Sequence, residues 1–560
     1  MRGQRELEVI SRPFLTADHP ADCIPPADCA TAFLCSIFSG MADQAPLSSN
    51  APRAKSTASP VTAAATTGPR TVADSVCLGC GCLCDDIDVQ VATDAAGHQQ
   101  IVAALRACEL GLHWFGVGQS REPAAATCRI AGKPARFDEA IRRAAEILIA
   151  AQAPLVVGLS HSPTASQRAA LALAEQLGAA IDSATSRRHA AAQLAMQAVG
   201  EVTCTWGEIA ARSDLVICWG ADPVTTHPRN LERYSREPTS PFLPRGRADR
   251  TLVVVDTERT PTADVADQFI ALRSGGHFDA LWTLRALVQG IDVDDSAIQY
   301  TTGVPLDTWR ALVEWMKAAR YGAVLLGDRL EQSPGAHLAI EALLLLVREL
   351  NDHTRFVVHG LGSPGNAAGC DEVFTWTTGY PFAVDFRGGY PRYNPDDGSA
   401  ALLLARGEVD AVLSIGDDAL AELPRAASKQ MEAVSKPGLG ATAGLPSSAG
   451  RDTALRNELA LAHDVDSRSV LELLQGRLPL IALDWRETAT LAAAMVAFRV
   501  AQPGVATGGT VYRSDGVPLA LRPAISATEP TEADVLAALL HRVLEIQSSR
   551  RTAEPQKAPS

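Results

Sequence analysis

The sequence predicts an α/β protein built on parallel sheets. Short apolar runs rich in β-branched residues alternate with stretches whose apolar residues recur three and four positions apart, the pattern of strands that alternate with helices. A faint internal repeat also relates the two halves of the chain. With 560 residues, 47% of them hydrophobic, the chain can fill about three domain cores. We therefore expect two related parallel-sheet α/β domains and one smaller segment.

Seven runs are predicted to be strands, because each is short, apolar and bounded by Gly, Pro or Asp. They are PLVVGLS (154–160), DLVICWG (214–220), TLVVVDT (251–257), AVLLGD (323–328), RFVVHG (355–360), AVLSIGD (411–417) and LPLIALD (478–484). Helical patterns such as FDEAIRRAAEILIAAQ (137–152) lie between several of them. This alternation is typical of parallel sheets.

The repeat joins strand ends. WGADP (219–223) resembles IGDDA (415–419), and DTERTPT (256–262) resembles DWRETAT (484–490). The first pair is 196 positions apart and the second 228, so the second half holds about 32 extra residues, and low-complexity sequence near 436–450 marks the insertion. Chance similarity among α/β units is the alternative. Because open α/β sheets bind ligands at their strand ends, we expect a site between the halves.

Composition excludes two classes of partner. The formal charge of -14, from 50 basic and 64 acidic residues, leaves no basic stripe for nucleic acid. No apolar run reaches the roughly 18 residues of a membrane span; LAIEALLLLVREL (338–350) carries charges and is predicted to be a helix. We expect neither nucleic acid nor a membrane as a partner.

The first 72 residues are predicted to be a disordered tail, because they are rich in Ala, Pro, Ser and Thr. Their apolar patch at 30–40 comes too late for an ordinary signal peptide, so we expect a cytoplasmic protein with reduced thiols. Met41 is a plausible alternative start, which would remove three cysteines from any functional role: Cys23, Cys29 and Cys35.

The stretch SVCLGCGCLCDDIDV (75–89) holds the densest cysteines of the chain. Cys77, Cys80 and Cys84 form C-x2-C-x3-C, and Cys108 follows in ALRACELGLHWF. Three close thiolates with one distant partner suit a [4Fe-4S] cube better than a zinc knuckle, whose ligands usually come as two spaced pairs. Zinc and an unmetallated remnant stay open as alternatives.

Cys82 complicates this ligand set, since it also forms C-x-C-x-C. We interpret it as a spare thiol that could substitute for a neighbour. Asp85 and Asp86 are predicted to be a solvated pair that caps the next element.

These segments together resemble the B subunit of formylmethanofuran dehydrogenase, a member of the molybdopterin oxidoreductase superfamily. The resemblance runs from about 73 to 545. The stretches that carry it are CLGCGCLCDDI (77–87), WGADPVTTHPRN (219–230), RGRADRTLVVVDTERT (245–260), FTWTTGYPFAVDFRGGYPRYNPDDG (374–398) and GTVYRSDGVPLALR (509–522).

The resemblance implies a molybdopterin-oxidoreductase-like fold with an N-terminal iron-sulfur domain. A [4Fe-4S] cluster would be held by Cys77, Cys80, Cys84 and Cys108. Loops at 220–223, 256–260, 360–369 and 416–418 fall where the family cradles pterin dinucleotides, and glycine there permits close backbone approach. The candidate cofactor-binding residues are Gly220, Asp222, Asp256, Thr260, Gly360, Gly416 and Asp418. Ordinary strand-to-helix turns are the alternative interpretation.

The resemblance also suggests domain boundaries. Residues 73–125 would form the iron-sulfur segment, and 126–320 with 479–545 a first α/β region. Residues 321–478, with an insertion near 436–475, would form a second α/β region. Residues 546–560 are predicted to be a second disordered tail.

One departure from the family pattern concerns the metal. Where the family places the cysteine that binds tungsten or molybdenum, ATSRRHAAAQ (184–193) has Arg188, flanked by His189. A guanidinium has no lone pair for a metal and is never deprotonated in proteins. Ala190 and Ala191 replace the family's Gly and Pro, which suggests that a tight turn has become ordinary helix. We therefore do not expect a tungsten or molybdenum pterin centre, and redox activity of this chain itself is doubtful.

A B subunit without the metal site resembles that of the bacterial formyltransferase/hydrolase complex. That resemblance implies A, C and D subunits as partners, with chemistry in a zinc-dependent A subunit and a formyltransferase D subunit. The complex would convert formyl-tetrahydromethanopterin to formate through a methanofuran-like carrier. This chain would then be an organising subunit with a retained structural cluster. An active tungsten or molybdenum subunit with an unconventional ligand is the alternative.

Other polar residues have weaker signals. His189 is predicted to line a vacant or anion-filled cavity, and His227 to hydrogen-bond backbone at a helix start. Arg187, Arg188 and Arg229 could bind an anion such as formate, unless they form ion pairs or face solvent.

The stretch GYPFAVDFRGGYPRYNPDDG (379–398) is too irregular for a predicted core element. We expect it to cover the former cofactor cleft or contact a partner, because aromatic and Arg side chains suit an interface. Those side chains are Tyr380, Phe382, Phe386, Tyr390, Arg392 and Tyr393.

Overall fold

A computed structural model describes residues 69–119, 126–416, 418–422 and 478–553. Two predictions lie outside these residues: the start at Met41 with the three cysteines near it, and the insertion near 436–475. The predicted 1–72 tail lies outside them except for its last four residues.

The first of two large sheets has five strands, all parallel, in the order β10-β9-β8-β11-β12. Its strands are β8 (Leu215–Trp219), β9 (Thr251–Asp256), β10 (Gln268–Ala271), β11 (Tyr321–Leu326) and β12 (Arg355–Gly360).

The second large sheet has nine strands in the order β14-β13-β7-β6-β15-β16-β17-β4-β5. Its inner five strands, β7 to β17, are parallel, and shorter antiparallel strands extend both edges. The strands are β4 (Cys128–Ile130), β5 (Lys133–Pro134), β6 (Pro154–Gly158), β7 (Ala180–Ser183), β13 (Val384–Asp385), β14 (Arg392–Tyr393), β15 (Ala411–Ile415), β16 (Leu480–Asp484) and β17 (Val496–Arg499).

Two smaller antiparallel sheets complete the strands. One contains β1 (Arg70–Ser75), β2 (Ile87–Thr93) and β3 (Gln99–Leu105), and the other is the hairpin of β18 (Gly509–Tyr512) and β19 (Pro518–Leu521). The cysteine loop lies between β1 and β2.

Helices connect the strands of both large sheets. The α-helices are Glu109–Phe115, Phe137–Ala150, Thr164–Leu177, Ser186–Val199, Trp206–Arg212, Pro223–Thr226, Pro261–Asp264, His277–Val288, Asp295–Thr302, Leu306–Ala318, Asp328–Glu331, Ala336–Leu350, Ala367–Thr378, Pro395–Gly398, Ala400–Ala405, Ala419–Glu422, Ala489–Ala493 and Glu532–Ala553. A π-helix spans Leu231–Ser235 and a 3-10 helix spans Gly246–Asp249. Within the residues that the structure describes, no helix combines the length and apolar content that a membrane span needs.

All seven predicted strands are confirmed, because long-range pairing agrees with their local apolar patterns. Their central residues are almost completely buried, as parallel strands covered on both faces should be. Sequence patterns missed short strands such as β7 and β10, which have four residues each.

The predicted division at residue 320 is wrong, because strand pairing crosses it twice. β8, from the predicted first region, pairs with β11 from the second, and β6 pairs with β15. The five-stranded sheet is therefore continuous in sequence from 215 to 360, whereas the nine-stranded sheet combines segments on both sides of it.

Two predicted tail boundaries also need correction. β1 begins at Arg70, because it pairs with β2 and the Arg70 guanidinium donates to the Ala524 carbonyl. The last helix continues past 545 to Ala553, with Leu536, Leu539 and Val543 buried on its inner face.

Candidate functional site

The cysteine loop brings its thiols together. Cys77, Cys80 and Cys84 are buried, and the Cys77 amide donates to the Cys84 carbonyl at 2.9 Å, which closes the loop. Cys108 is half-buried and immediately precedes the helix Glu109–Phe115. Burial raises the pKa of the Cys77 thiol well above its usual value, and the nearby thiolates of Cys80, Cys84 and Cys108 raise it further. All four predicted ligands therefore lie within electrostatic reach of one another.

Two glycines allow this close packing. A Cβ on Gly79 would lie 2.9 Å from the Leu110 carbonyl oxygen, and one on Gly111 would lie 3.3 Å from Cys77 Sγ. The Gly79 amide also donates to Cys77 Sγ at 3.4 Å. The glycines thus hold the Cys108 helix against the cysteine loop.

Cys82 is fully buried beside the other thiols. Its hydrogen bond to Cys80 raises the pKa of Cys82 and lowers that of Cys80, while Asn230 acts on Cys82 in the opposite direction. The structure thus places Cys82 among the candidate ligands, and its interpretation as a spare thiol stays a prediction.

The donor set fits a [4Fe-4S] cluster in chemistry. Among the described residues, no three His, Cys, Asp or Glu side chains converge as the ligands of a single metal ion would. The thiolates of a cube each bind a different iron, so they need not converge in that way. Cys77, Cys80, Cys84 and Cys108 would hold the cube.

The prediction that Asp85 and Asp86 are a solvated capping pair is wrong, because both join an ion-pair network. Arg229 donates to the two oxygens of Asp86 at 2.7 and 2.8 Å. Arg233 donates to Asp86 at 2.8 Å and to Asp85 at 2.6 Å. Arg229 is therefore committed to carboxylates, as the ion-pair alternative predicted, and is not part of an anion site with Arg188.

His227 ends a helix rather than starting one. It follows Pro223–Thr226, is buried, and its Nδ1 lies 2.8 Å from the Thr226 hydroxyl. Its other ring nitrogen faces Gly81, where a Cβ would lie only 2.9 Å away. Burial lowers the pKa of His227 to about 4, so the ring is neutral near pH 7.

The segment around Arg188 is helical, as the sequence predicted. Ser186–Val199 forms a helix, and the Arg188 amide donates to the Thr185 carbonyl at 2.9 Å. Arg188 lies in the first turn and is half-buried. Arg187, beside it, is within electrostatic reach of the Asp182 and Asp396 carboxylates, which oppose the effect of burial on its pKa.

His189 forms a buried ion pair that the sequence did not predict. Its Nε2 lies 2.8 Å from Asp371 Oδ2, with 16% and 14% of the two side chains exposed. Burial favours the neutral ring, but the charges of Asp371, Glu331 and Asp182 outweigh burial and raise the pKa of His189 to about 9. The ring therefore carries a positive charge near neutral pH, with carboxylates around it.

Two of these carboxyl groups have raised pKa values of their own. Burial raises the pKa of Asp182 to about 6, although amides of Ala383 and Ala400 donate to it at 3.0 and 2.8 Å. Burial raises the pKa of Glu331 to about 8, opposed by His189. None of these acids follows an apolar motif, so no sequence signal could have associated them with His189.

A cysteine also lies near this group, which corrects the expectation that none would. Cys370 is fully buried at the first turn of Ala367–Thr378. Burial raises the pKa of its thiol well above the usual value, with added effects from Asp371 and Asp182, and it hydrogen-bonds Ser183. Its distance in sequence from Arg188 concealed it.

The aromatic stretch at 379–398 contributes to the core, contrary to prediction. Phe382 and Phe386 are buried, and β13 and β14 within it extend the nine-stranded sheet. The Phe382 ring meets the His189 ring edge to face at 5.6 Å. Tyr390 is exposed, so only part of the stretch is available to a partner.

The strand-end loops of the five-stranded sheet are held by their own polar residues. Gly220 has a φ of 58°, and a Cβ there would lie 2.7 Å from the Leu330 amide. Asp222 accepts from the Thr262 amide at 3.1 Å and from its hydroxyl at 2.5 Å, and Thr260 caps the helix Pro261–Asp264. Asp256 is buried and accepts from the Thr257 amide at 2.7 Å.

The nine-stranded sheet repeats this arrangement. Asp418 accepts from the Thr490 amide at 3.1 Å and also from its hydroxyl, as Asp222 does from Thr262. Gly416 has a φ of 72° and packs near Trp485 and Glu532. The repeat thus has a structural basis. These contacts support the alternative that the loops are structural turns, and dinucleotide contact stays a prediction.

Gly360 differs from the other predicted cofactor residues. A Cβ there would meet nothing within 4 Å. Space beside this strand end is open, whereas Gly220 is required by packing.

Comparison with known proteins places these features together. No family model matches the chain. It is 32% identical over 484 residues to the B subunit of tungsten-containing formylmethanofuran dehydrogenase 2 of Methanocaldococcus jannaschii, covering 85% of this chain and 99% of that protein. The counterpart of Methanococcus maripaludis is 30% identical over 479 residues, with 84% and 98% coverage.

A second group of relatives belongs to Methylorubrum extorquens. The B subunit of its formyltransferase/hydrolase complex Fhc is 28% identical over 287 residues, covering 51% of this chain and 73% of that protein. The crystal structure of its FhcABCD complex with methylofuran superposes with a TM-score of 0.56 at 25% identity, covering 75% of this chain and 99% of that one. Acetylene hydratase from Pelobacter acetylenicus (TM-score 0.54, 12% identity, covering 85% of this chain and 69% of that one) shares the fold alone.

Proposed function

Because the chain belongs to the family of formylmethanofuran dehydrogenase B subunits, we propose that it is a B subunit without metal redox chemistry of its own. In this proposal it organises a formyltransferase/hydrolase complex of one-carbon metabolism. That complex converts formyl-tetrahydromethanopterin to formate through a methanofuran-like carrier.

The observation that carries this proposal is Arg188 at the position of the family's metal-binding cysteine. A guanidinium cannot replace a thiolate as a ligand, because it offers no lone pair. Arg188 lies in the first turn of a regular helix, followed by Ala190 and Ala191. The residues present therefore do not fit a tungsten or molybdenum centre, and no step is assigned to one.

The surroundings of His189 support the same conclusion. The ring is charged and paired with Asp371, and Glu331 and Asp182 are near it. A ring held in this ion pair binds neither a metal nor a substrate proton. In this proposal the His189 group stabilises the site that the metal would have occupied.

The four cysteines support retention of an iron-sulfur cluster. When bound, such a cluster can carry an electron, and its thiolate bonds also cross-link the chain. Without a redox metal beside it, the second role is the one that we propose. The cluster would connect the loop at 77–84 with the helix Glu109–Phe115.

The proposed partners are the A, C and D subunits of such a complex, which would work in the cytoplasm. The zinc-dependent A subunit and the formyltransferase D subunit would carry the chemistry. The superposition on the FhcABCD complex, which covers 99% of the matched chain, supports assembly of this kind.

A catalytic tungsten or molybdenum subunit is the second candidate. It is favoured by coverage, because the tungsten-containing relatives match 85% of this chain and the Fhc relative matches 51%. It requires a metal ligand other than Arg188, and the thiol nearest to this group, Cys370, is fully buried.

Metal analysis distinguishes the two candidates. The complex would be purified without oxygen, and iron, sulfide, tungsten and molybdenum would be measured per chain. About four irons with neither heavy metal is the expected result. Stoichiometric tungsten or molybdenum would contradict the proposal and restore the dehydrogenase function.

Substitution of Arg188 tests the organising role. Arg188→Ala is expected to leave formate production by the assembled complex unchanged, because the side chain takes no part in the chemistry. The measurement is formate release with subunit composition determined in parallel, and Arg245→Ala, an exposed arginine, serves as the control. A large loss of activity in a fully assembled complex would show that Arg188 acts in the reaction.

A further inference from the structure

The segment 227–235 packs against the cysteine loop along its length. His227 faces Gly81, and Asn230 hydrogen-bonds Cys82. Arg229 and Arg233 bind the two aspartates that follow Cys84 directly in sequence. Part of this segment is a π-helix, Leu231–Ser235, a rare form that is frequent at functional sites.

Arg233 has the most contacts with this loop. Its two terminal nitrogens bind separate carboxylates, Asp86 at 2.8 Å and Asp85 at 2.6 Å, and 16% of its side chain is exposed. It also hydrogen-bonds the Cys84 thiol. The guanidinium therefore has a fixed position between the sulfur and the carboxylates.

A third arginine joins the second cysteine segment to the same carboxylates. Arg106, two residues before Cys108, donates from Nε to the Asp86 carbonyl at 2.5 Å and pairs with Asp88 at 2.9 Å. The aspartates next to Cys84 thus connect the segment 227–235 with both parts of the candidate cluster site.

We propose that Arg233 is a positioning residue for the iron-sulfur cluster, which holds Cys84 in place and sets the cluster's reduction potential. This inference rests on the proposed retention of the cluster. It adds a specific interaction of the protein with one ligand sulfur, carried by a residue far from the cysteine motif in sequence.

The direction of the effect follows from charge. Hydrogen bonds to ligand sulfurs and the net charge nearby both set the potential of an iron-sulfur cluster. Reduction adds negative charge, which a guanidinium favours and a carboxylate opposes. Replacing Arg233 with a neutral residue removes a donor and leaves Asp85 and Asp86 less compensated, so the potential should become more negative.

The test compares Arg233→Gln with Arg233→Lys in the purified complex. Iron per chain and the midpoint potential, followed by electron paramagnetic resonance, are the two readouts. Arg236→Gln is the matched control, because Arg236 is three residues away and pairs with Glu237 instead of the aspartates. We expect Arg233→Gln to lower the potential or the iron content, Arg233→Lys to do so less, and the control to match wild type.

Each outcome decides the matter. A wild-type complex without iron refutes the cluster itself, whereas iron in wild type with both readouts unchanged in the Arg233 variants refutes only the role of Arg233. If Arg233→Gln does not fold, Arg233→Lys decides, because lysine keeps the charge and loses the planar two-carboxylate fork. A lowered potential or iron loss in that variant supports the proposal, and wild-type values refute it.

Discussion

At the scale of single residues, His189 shows burial and charge acting in opposite directions. Burial alone would make the imidazole neutral, as it does for His227. The difference is the carboxylate partner, since Asp371 lies 2.8 Å from the His189 ring and the ring of His227 faces backbone. Two buried histidines therefore have opposite charge states near pH 7.

The His189 pair should make stability depend on pH. Its pKa is raised from 6.5 to about 9 on folding, so its contribution is complete below pH 6.5 and is lost as pH rises through 9. His189→Gln should lower the free energy of unfolding by about 3 kcal/mol at pH 6, because the Asp371 carboxylate is left unpaired. Denaturant titrations from pH 6 to 9.5 measure both quantities.

His98→Gln is the matched control for that prediction. His98 pairs with Asp94 at 3.0 Å, but both side chains are more than half exposed. Its substitution should cost little, because exposed pairs contribute about 0–1 kcal/mol. Equal effects of the two substitutions would contradict the role given to burial.

At the scale of elements, the strand-end motifs of the repeat hold loops. The sequence pattern correctly related Asp222 to Asp418, since both accept two hydrogen bonds from a threonine after the neighbouring strand. It did not indicate that these carboxylates face the protein. A strand-end aspartate is equally compatible with a ligand and a neighbouring loop, and only tertiary pairing decides between them.

Asp222→Ala and Asp418→Ala should each lower the free energy of unfolding by about 1–3 kcal/mol, because each leaves threonine donors without a partner. The sites lie in different sheets, so the double variant should show roughly the sum. Denaturant unfolding measures this, with Asp307→Ala on an exposed helix as the control. Loss at only one of the two sites would show that the repeat is not energetically equivalent.

At the scale of the whole molecule, the two sheets share one order in two different sequence arrangements. Strands β10-β9-β8-β11-β12 correspond to β17-β16-β15-β6-β7, but the last two precede the others in sequence in the second set. Local patterns predicted the seven strands because burial fixes their composition. They could not predict the division between sheets, which depends on pairing across more than 200 residues, nor the contacts of Asp371 with His189.

This arrangement predicts which fragment folds alone. A fragment of residues 185–362 contains the whole five-stranded sheet and the buried core around Trp219, Trp309 and Phe356, so it should unfold cooperatively. A fragment of 126–320 separates β8 from β11 and should not. Circular dichroism with thermal melting compares the two. Cooperative unfolding of only the second fragment would contradict the sheet assignment.

The position of β6 also has a consequence during synthesis. Its neighbour β15 begins at Ala411, 253 residues after Gly158 ends β6. At about 5–20 residues per second, the ribosome takes about 13–50 s to supply that neighbour, and the five-stranded sheet is complete in the meantime. For that interval the apolar edge of β6 has no strand to pair with on that side. The nascent chain should therefore be most prone to aggregation, and most dependent on a chaperone, between the synthesis of residues 158 and 415.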